Sequence, residues 1–188
     1  MGMTLIIILV AAVAFALFVV ALYNKLVRLR VDCDNGWSQI DVQLKRRYDL
    51  VPNLIETVKG YASHERETLE AVVQARTRAQ EAQGVKAQAE AENMLTQALG
   101  RIFALSEAYP DLKANQNFLS LQEELTSTEN KIGFARQHYN DCVARYSTSI
   151  QQFPSNIVAG MFSFKPRDYF ELDTAAAREV PKVSFSKN

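Results

Sequence analysis

Few residues in this 188-residue chain have the type and spacing to do chemistry. His138 and Cys142 stand one helical turn apart and could share a face, but two side chains do not make a zinc site, which takes three or four protein ligands. Cys33 is the only other cysteine, so neither a zinc spacing nor a disulfide framework is present. His64 sits between Ser63 and Glu65, where a helix start accounts for all three without a nucleophile and its base. Glu123, Glu124, Glu129 and Asp141 could form an acidic face, although Arg46, Arg47, Lys131 and Arg136 are available to pair with them. Glycine-rich phosphate loops, HExxH and GxSxG are absent. The chain therefore reads as a non-enzyme, with no catalytic residue, no cofactor and no metal ligand assigned.

The elements that must position these residues begin with an anchor. From Leu5 to Leu22 no residue is charged, and Lys25, Arg28 and Arg30 follow at once. Such a run, at 1.5 Å rise per residue, covers about 27 Å of the roughly 30 Å hydrocarbon core. A cleaved signal peptide would open with positive charge and close on a small-residue cleavage site. Here no Lys or Arg precedes the run, and Tyr23-Asn24-Lys25 follows it. Residues 1–23 are therefore expected to remain as a single-pass anchor. Ile6 stands where N-myristoylation would need Ser or Thr. Lys and Arg resist translocation and lie only downstream, so the expected orientation puts Met1 to Thr4 outside and the helical domain in the cytoplasm.

Basic and acidic residues number 21 each, which leaves no overall field to draw in nucleic acid. Gly60, Gly84, Pro110 and Pro154 punctuate a chain otherwise rich in Ala, Gln, Glu, Leu and Arg. The expected helices run over about 5–61, 64–82, 86–108 and 112–152. Ser63 is placed to cap the second and Asp111 the last, and Pro52 should bend or locally break the first. Two stripes at three-four spacing mark buried faces. One runs Cys33, Trp37, Ile40, Leu44, Tyr48, Val51, Leu54, Val58; the other runs Phe118, Leu121, Leu125, Thr128, Ile132, Ala135, Tyr139, Cys142, Tyr146, then Phe153.

The fold class is all-α, with the anchor helix continuing into an elongated antiparallel four-helix bundle over 24–153. If helix continued through Gly84, three long helices would result instead. The cysteines separate the two paths. In the four-helix path Cys33 and Cys142 sit at nearly the same height, as small core residues of a reducing compartment rather than a disulfide.

Three polar or aromatic features remain. Lys45-Arg46-Arg47 lies roughly 33 Å beyond the membrane exit along a helix, too far for lipid headgroups, so it needs a partner or an intrahelical role. Asn53, Asn93, Asn115, Asn117 and Asn130 are numerous for helices and could cap neighbours or set register through buried hydrogen bonds. An aromatic-rich tail over 154–188, with Phe153 at its edge, carries Ile157, Val158, Met161, Phe162, Phe164, Tyr169 and Phe170, with Lys165 and Arg167 interleaved. In the four-helix path this tail returns to the membrane, where it can lie at the interface, pack on its own helices, or pack on a neighbouring subunit.

The run Trp37-Ser38-Gln39-Ile40-Asp41-Val42-Gln43-Leu44-Lys45-Arg46-Arg47-Tyr48-Asp49-Leu50-Val51-Pro52-Asn53-Leu54 resembles the LemA family. Glu107-Ala108-Tyr109-Pro110-Asp111-Leu112-Lys113-Ala114-Asn115, Leu121-Gln122-Glu123-Glu124-Leu125, Thr128-Glu129-Asn130-Lys131-Ile132, Ala135-Arg136-Gln137 and Tyr139-Asn140-Asp141 are similar to the same family, as is the closing Pro181-Lys182-Val183-Ser184-Phe185. The resemblance implies a single N-terminal membrane helix followed by a helical bundle in bacterial envelope membranes, without established enzymatic activity, and the location expected for this chain is the bacterial inner membrane. Some members are associated with membrane organelle biogenesis, and others are thought to work beside membrane peptidases or envelope proteins. Cys33, Gly36 and Cys142 depart from the family pattern.

The expected function is a membrane-anchored helical scaffold that self-associates and organises the bilayer or membrane proteins around it. The alternative is a regulatory adaptor for a membrane peptidase or an envelope signalling protein. The residues expected to touch lipid or a second copy are Phe153, Ile157, Met161, Phe162, Phe164, Tyr169 and Phe170, flanked by basic Lys25, Arg28 and Arg30. The expected partners are the lipid bilayer, further copies of the chain and a membrane protein, with no nucleic acid.

Overall fold

The computed structural model describes residues 2–171, all of it helix, turn and extended coil. The elements in order are α1 (Gly2–Lys59), α2 (Arg66–Glu81), α3 (Val85–Ser106), α4 (Pro110–Lys113), α5 (Gln116–Gln151) and α6 (Ser155–Met161). The Pro181 to Phe185 stretch and the end of the 154–188 tail lie outside the described residues.

α1 carries the apolar run outward as one helix, long and apolar enough to cross a membrane, and then becomes the first member of the bundle. Beyond the run, Cys33, Ile40, Leu44, Val51, Leu54 and Val58 are buried. α5 returns antiparallel along it, burying Phe118, Leu125, Thr128, Ile132, Tyr139, Cys142 and Tyr146. Both expected stripes are thus the core of one α1/α5 pair. Phe153 is the exception, because it lies past the end of α5 and is 80% exposed. Each buried aliphatic side chain on the seam contributes about 1.5–3 kcal/mol.

Between the long helices, α2 and α3 form a hairpin. Gly84 has φ +85°, a conformation that side-chain-bearing residues seldom adopt, and it turns the chain back. The fold is therefore an elongated antiparallel four-helix bundle rather than three long helices. The register agrees. A Cβ added at Gly36 would meet the Tyr139 Cα at 3.2 Å, so these positions face each other. Three residues along each helix, in opposite directions, lead to Cys33 and Cys142, which share a level as buried free thiols. Burial pushes the Cys33 thiol up to about 11, which makes it a poor nucleophile.

Several local expectations change. Pro52 does not interrupt α1. Its missing N–H leaves the carbonyl of Tyr48, four residues earlier, without its helical donor, and Arg76 Nε of α2 supplies one at 2.8 Å. Ser63 does not cap α2, which starts behind Glu65 with no side-chain cap bond; Glu65 accepts from the Tyr109 hydroxyl at 3.1 Å instead. Asp111 falls inside the short α4, and the cap of α5 is Asn115, whose side chain accepts from Phe118 N at 3.0 Å. The other four asparagines singled out for register, Asn53, Asn93, Asn117 and Asn130, are not buried.

Two outcomes test this packing. Gly36→Leu pushes a branched side chain into the Tyr139 backbone and should lower the thermal midpoint by an amount equivalent to about 1–3 kcal/mol. Arg76→Met should cost about 1–2 kcal/mol in the native background and far less beside Pro52→Ala, where a restored N–H satisfies the Tyr48 carbonyl. Thermal unfolding in mild detergent reads both, and equal costs in the two backgrounds would refute the Pro52–Arg76 coupling.

Candidate functional site

Two places gather side chains beyond what a helical core needs. The first lies where the hairpin meets α1. Arg47, Tyr48, Gln88 and Glu92 are all buried. Glu92 sits on the buried face of α3 with Gln88, Leu95, Leu99 and Ile102. The Glu92 carboxylate accepts from Arg47 at 3.2 Å, from Gln88 at 3.1 Å and from the Tyr48 hydroxyl in a short hydrogen bond. Arg47 is shared with Glu129 of α5 at 3.0 Å and with Thr96 Oγ1 at 2.8 Å. One guanidinium therefore ties α1, α3 and α5 together.

Burial pushes the Glu92 carboxyl above its ordinary value, against the pull of Tyr48, Arg47 and Gln88. Burial, reinforced by the bond to Glu92, pushes the Tyr48 hydroxyl far above its ordinary value. The distal basic cluster is thus partnered within the chain: Arg47 is in this knot, and the exposed Arg46 reaches Glu124 at 3.5 Å. The polar groups of the knot bond to one another: the Glu92 carboxylate has three donors, and Arg47, Thr96 and Glu129 edge a shallow surface pocket beside it.

The second place is the strap formed by residues 162–171, which runs along α1 and α5 away from the membrane end. The Tyr146 hydroxyl donates to the Lys165 carbonyl at 3.0 Å and the Tyr139 hydroxyl to the Asp168 carbonyl at 3.0 Å. Asn140 grips Phe170 twice, accepting from its N–H at 2.9 Å and donating to its carbonyl at 3.1 Å. Arg167 pairs with Asp34 at 2.7 Å, and Lys86 of the hairpin pairs with Asp168 at 3.2 Å. Phe170 and Tyr139 pack on Trp37, with ring centroids at 5.9 and 5.5 Å.

The strap divides the aromatic residues singled out in the sequence. Phe164 and Phe170 are buried in the chain's own core, so they are not free to meet lipid or a second copy as expected. Hydrophobic bulk close to seam tyrosines that need hydrogen-bond partners accounts for that outcome. Phe153, Ile157, Met161, Phe162 and Tyr169 remain exposed. Arg30 lies over the Phe164 ring at 5.2 Å, while Lys25 and Arg28 face solvent.

His138 is exposed with Nε2 3.8 Å from Cys142 Sγ, and His64 is exposed at the distal turn. Among the described residues no three His, Cys, Asp or Glu side chains gather as a metal site. Sequence reasoning missed Arg76, Gln88, Glu92 and Asn140. Glu92 could have been found as a charge at buried spacing on α3, and Asn140 as the polar neighbour of seam residue Tyr139.

A continuous N-terminal helix, a returning α5 and a short hairpin between them are thus joined to a sequence profile of the LemA family that matches residues 36–185. The chain belongs to the LemA family. It is 25% identical over 187 residues to magnetosome protein MamQ 2 of Paramagnetospirillum magneticum, covering 86% of this chain and 69% of that protein. It is 26% identical over 161 residues to protein LemA of Metamycoplasma hominis, covering 85% and 71%. To magnetosome protein MamQ of Magnetospirillum gryphiswaldense it is 25% identical over 184 residues, covering 84% and 68%. These are not names of enzymes, in keeping with a LemA-family site whose polar groups hold helices together.

Removing the carboxylate tests the knot. Glu92→Ala leaves the buried Arg47 with Glu129 and Thr96 alone and should cost about 3 kcal/mol. Because the folded-state pKa of Glu92 is raised, the stability this group contributes is fully present below its unfolded value and is lost as pH rises through the folded one. Wild type should therefore lose stability relative to Glu92→Gln as pH is raised above the ordinary carboxylate range. Denaturant unfolding of both proteins across pH checks the sign, and a gap that widens in favour of wild type would contradict it.

Proposed function

We propose that this LemA-family protein is a non-enzymatic, membrane-anchored scaffold that self-associates and organises the bilayer or membrane proteins around it. The observation that carries the reading is the unbroken α1. The residues of the apolar run and those of the bundle core belong to one helix, so the bundle is held as a rod with no hinge at the membrane. Rods that leave a membrane at one angle meet their neighbours along their lengths, and identical lateral contacts close into rings or extend into lattices. The relatives named as magnetosome proteins support a structural rather than a catalytic role.

Lateral contact would fall on the α1/α5 face turned away from the strap. There Val42 and Phe134, 63% and 72% exposed, flank a groove with Gln39, Gln43, Ala135 and His138. Basic residues crowd the end of the span at Lys25, Arg28 and Arg30, which supports a rod standing in the cytoplasm of a bacterium, anchored in the inner membrane. The adaptor reading would use the same face to hold a membrane peptidase or an envelope signalling protein in a low-order complex.

Light scattering and particle imaging of the full chain in mild detergent or membrane discs decide between them. The scaffold should appear as uniform large particles, and Val42→Ser with Phe134→Ser should reduce their mass without lowering the unfolding midpoint. A protein that stays monomeric at high concentration overturns the scaffold, and stable one-to-one co-purification with a membrane protein would then favour the adaptor.

A further inference from the structure

The end of the bundle nearest the anchor is built unlike the rest of it. Beyond the apolar run, exposed large apolar side chains are mostly scattered, but Phe153, Ile157, Met161 and Phe162 cluster at and around α6. Ile157 and Met161 are four residues apart on the side of α6 opposite its buried Val158 and Ala159, and Phe153 and Phe162 flank the helix. The buried side already rests on α1 and α5, so this exposed side is surplus to the fold.

Its height is given by the antiparallel register. Cys142 is level with Cys33, and the nine residues from Cys142 to Gln151 descend about 13 Å, which brings the end of α5 to the level of Asn24. Two contacts agree. The Phe162 ring meets the Tyr23 ring edge-on at 4.8 Å, and Val19 and Leu22, inside the apolar run, are partly buried against the core. The α6 segment therefore stands at the depth of the last turn of the span, where water gives way to hydrocarbon.

Charge points the same way. No Asp or Glu occurs before Asp32 in α1, nor between Asp141 and Asp168, whereas Lys25, Arg28, Arg145 and Lys165 are exposed within these stretches. Among the described residues acidic side chains resume above, at Asp32, Asp34, Asp141, Asp168 and Glu171. The foot of the rod is thus an apolar face beneath an acid-free basic belt, the pattern of an interfacial element on anionic headgroups.

We propose that α6 with Phe153 and Phe162 is a second membrane-binding element, its Ile157/Met161 face sunk about 5–10 Å into the headgroup boundary of an anionic bilayer while the basic belt holds lipid phosphates. The surface is distinct from the lateral Val42/Phe134 face and acts whether or not the chain self-associates. It adds a fixed contact beside the anchor and makes the tilt of the rod a property of the lipid surface.

The test uses the full chain in vesicles of phosphatidylethanolamine and phosphatidylglycerol. Ile157→Cys, Met161→Cys and, as a control far from the foot, Val73→Cys each carry an environment-sensitive fluorophore; Cys33 and Cys142 are buried. The labels at 157 and 161 should lose most of their emission to nitroxide-bearing lipid, resist aqueous iodide, and lose more when the nitroxide is carried on phosphatidylglycerol than on phosphatidylcholine. The label at 73 should respond to iodide alone. Iodide-accessible labels at 157 and 161 that nitroxide lipid leaves untouched overturn the proposal. So do labels shielded from both that transfer energy between copies, which would make the face a subunit contact. Equal quenching by the two lipids removes the preference for anionic headgroups.

Discussion

The carbonyl of Tyr48 is the point on which the two halves of this molecule depend. Pro52 strips it of its helical donor, and an exposed proline in mid-helix would ordinarily bend the rod there. Arg76 restores the missing bond from another helix, so the defect in α1 becomes the attachment for α2. One turn of α1 thereby serves three partners: the Tyr48 carbonyl holds α2, its hydroxyl holds Glu92 of α3, and Arg47 holds α3 and α5. The hairpin needs this anchorage because much of its inner surface is alanine, including Ala75, Ala79, Ala89, Ala91 and Ala98. Small side chains allow close packing but bury little area, and they leave register to directional bonds.

This explains what could and could not be read from the sequence. The long helices were legible because their stripes repeat over many turns and because Gly84 and Pro110 stand between them. The sequence left two topologies, with the cysteines at equal height in only one of them, and the turn at Gly84 decides for that one. The fate of Pro52 was not legible, because its remedy is a guanidinium from residue 76, and no local pattern records a donor so far along the chain. Glu92 differs from the exposed Glu90 by its spacing to Leu95, Leu99 and Ile102, which marks it as buried, but no local pattern records that its partner is Arg47. Asn140 and Phe170 lie 30 residues apart. Their two-way bond gives an extended segment the backbone partners that a helix face cannot offer, and while the place of Asn140 beside seam residue Tyr139 hints at a polar role, nothing local names Phe170 as the partner.

The candidate site was legible in kind and only partly in membership. Aromatic bulk beyond the bundle is plain in the sequence, but its division into a buried strap and an exposed foot depends on which rings find tyrosines and Trp37 to rest against. Phe164 and Phe162 are two residues apart with opposite fates. In extended chain they would share one face, but Ser163 between them has φ 55° and turns the backbone, which sends Phe164 into the α1/α5 groove and leaves Phe162 exposed.

The resulting rod is polarised. Its distal half is held by buried ions and hydrogen bonds, which are directional and fix angles. Its proximal half is held by rings and by a strap sewn through backbone carbonyls, leaving apolar surface and positive charge exposed at the anchor end. A load applied at the Arg47 knot passes down α1 and α5 without meeting a break in either helix, and if α6 binds lipid as proposed it reaches the membrane at the α1 span and at α6 together. Two points of attachment resist tilting in a way that one helix in a fluid bilayer does not. A scaffold whose neighbours must meet face to face requires that resistance, because lateral surfaces are complementary only when the rods stand at a common angle.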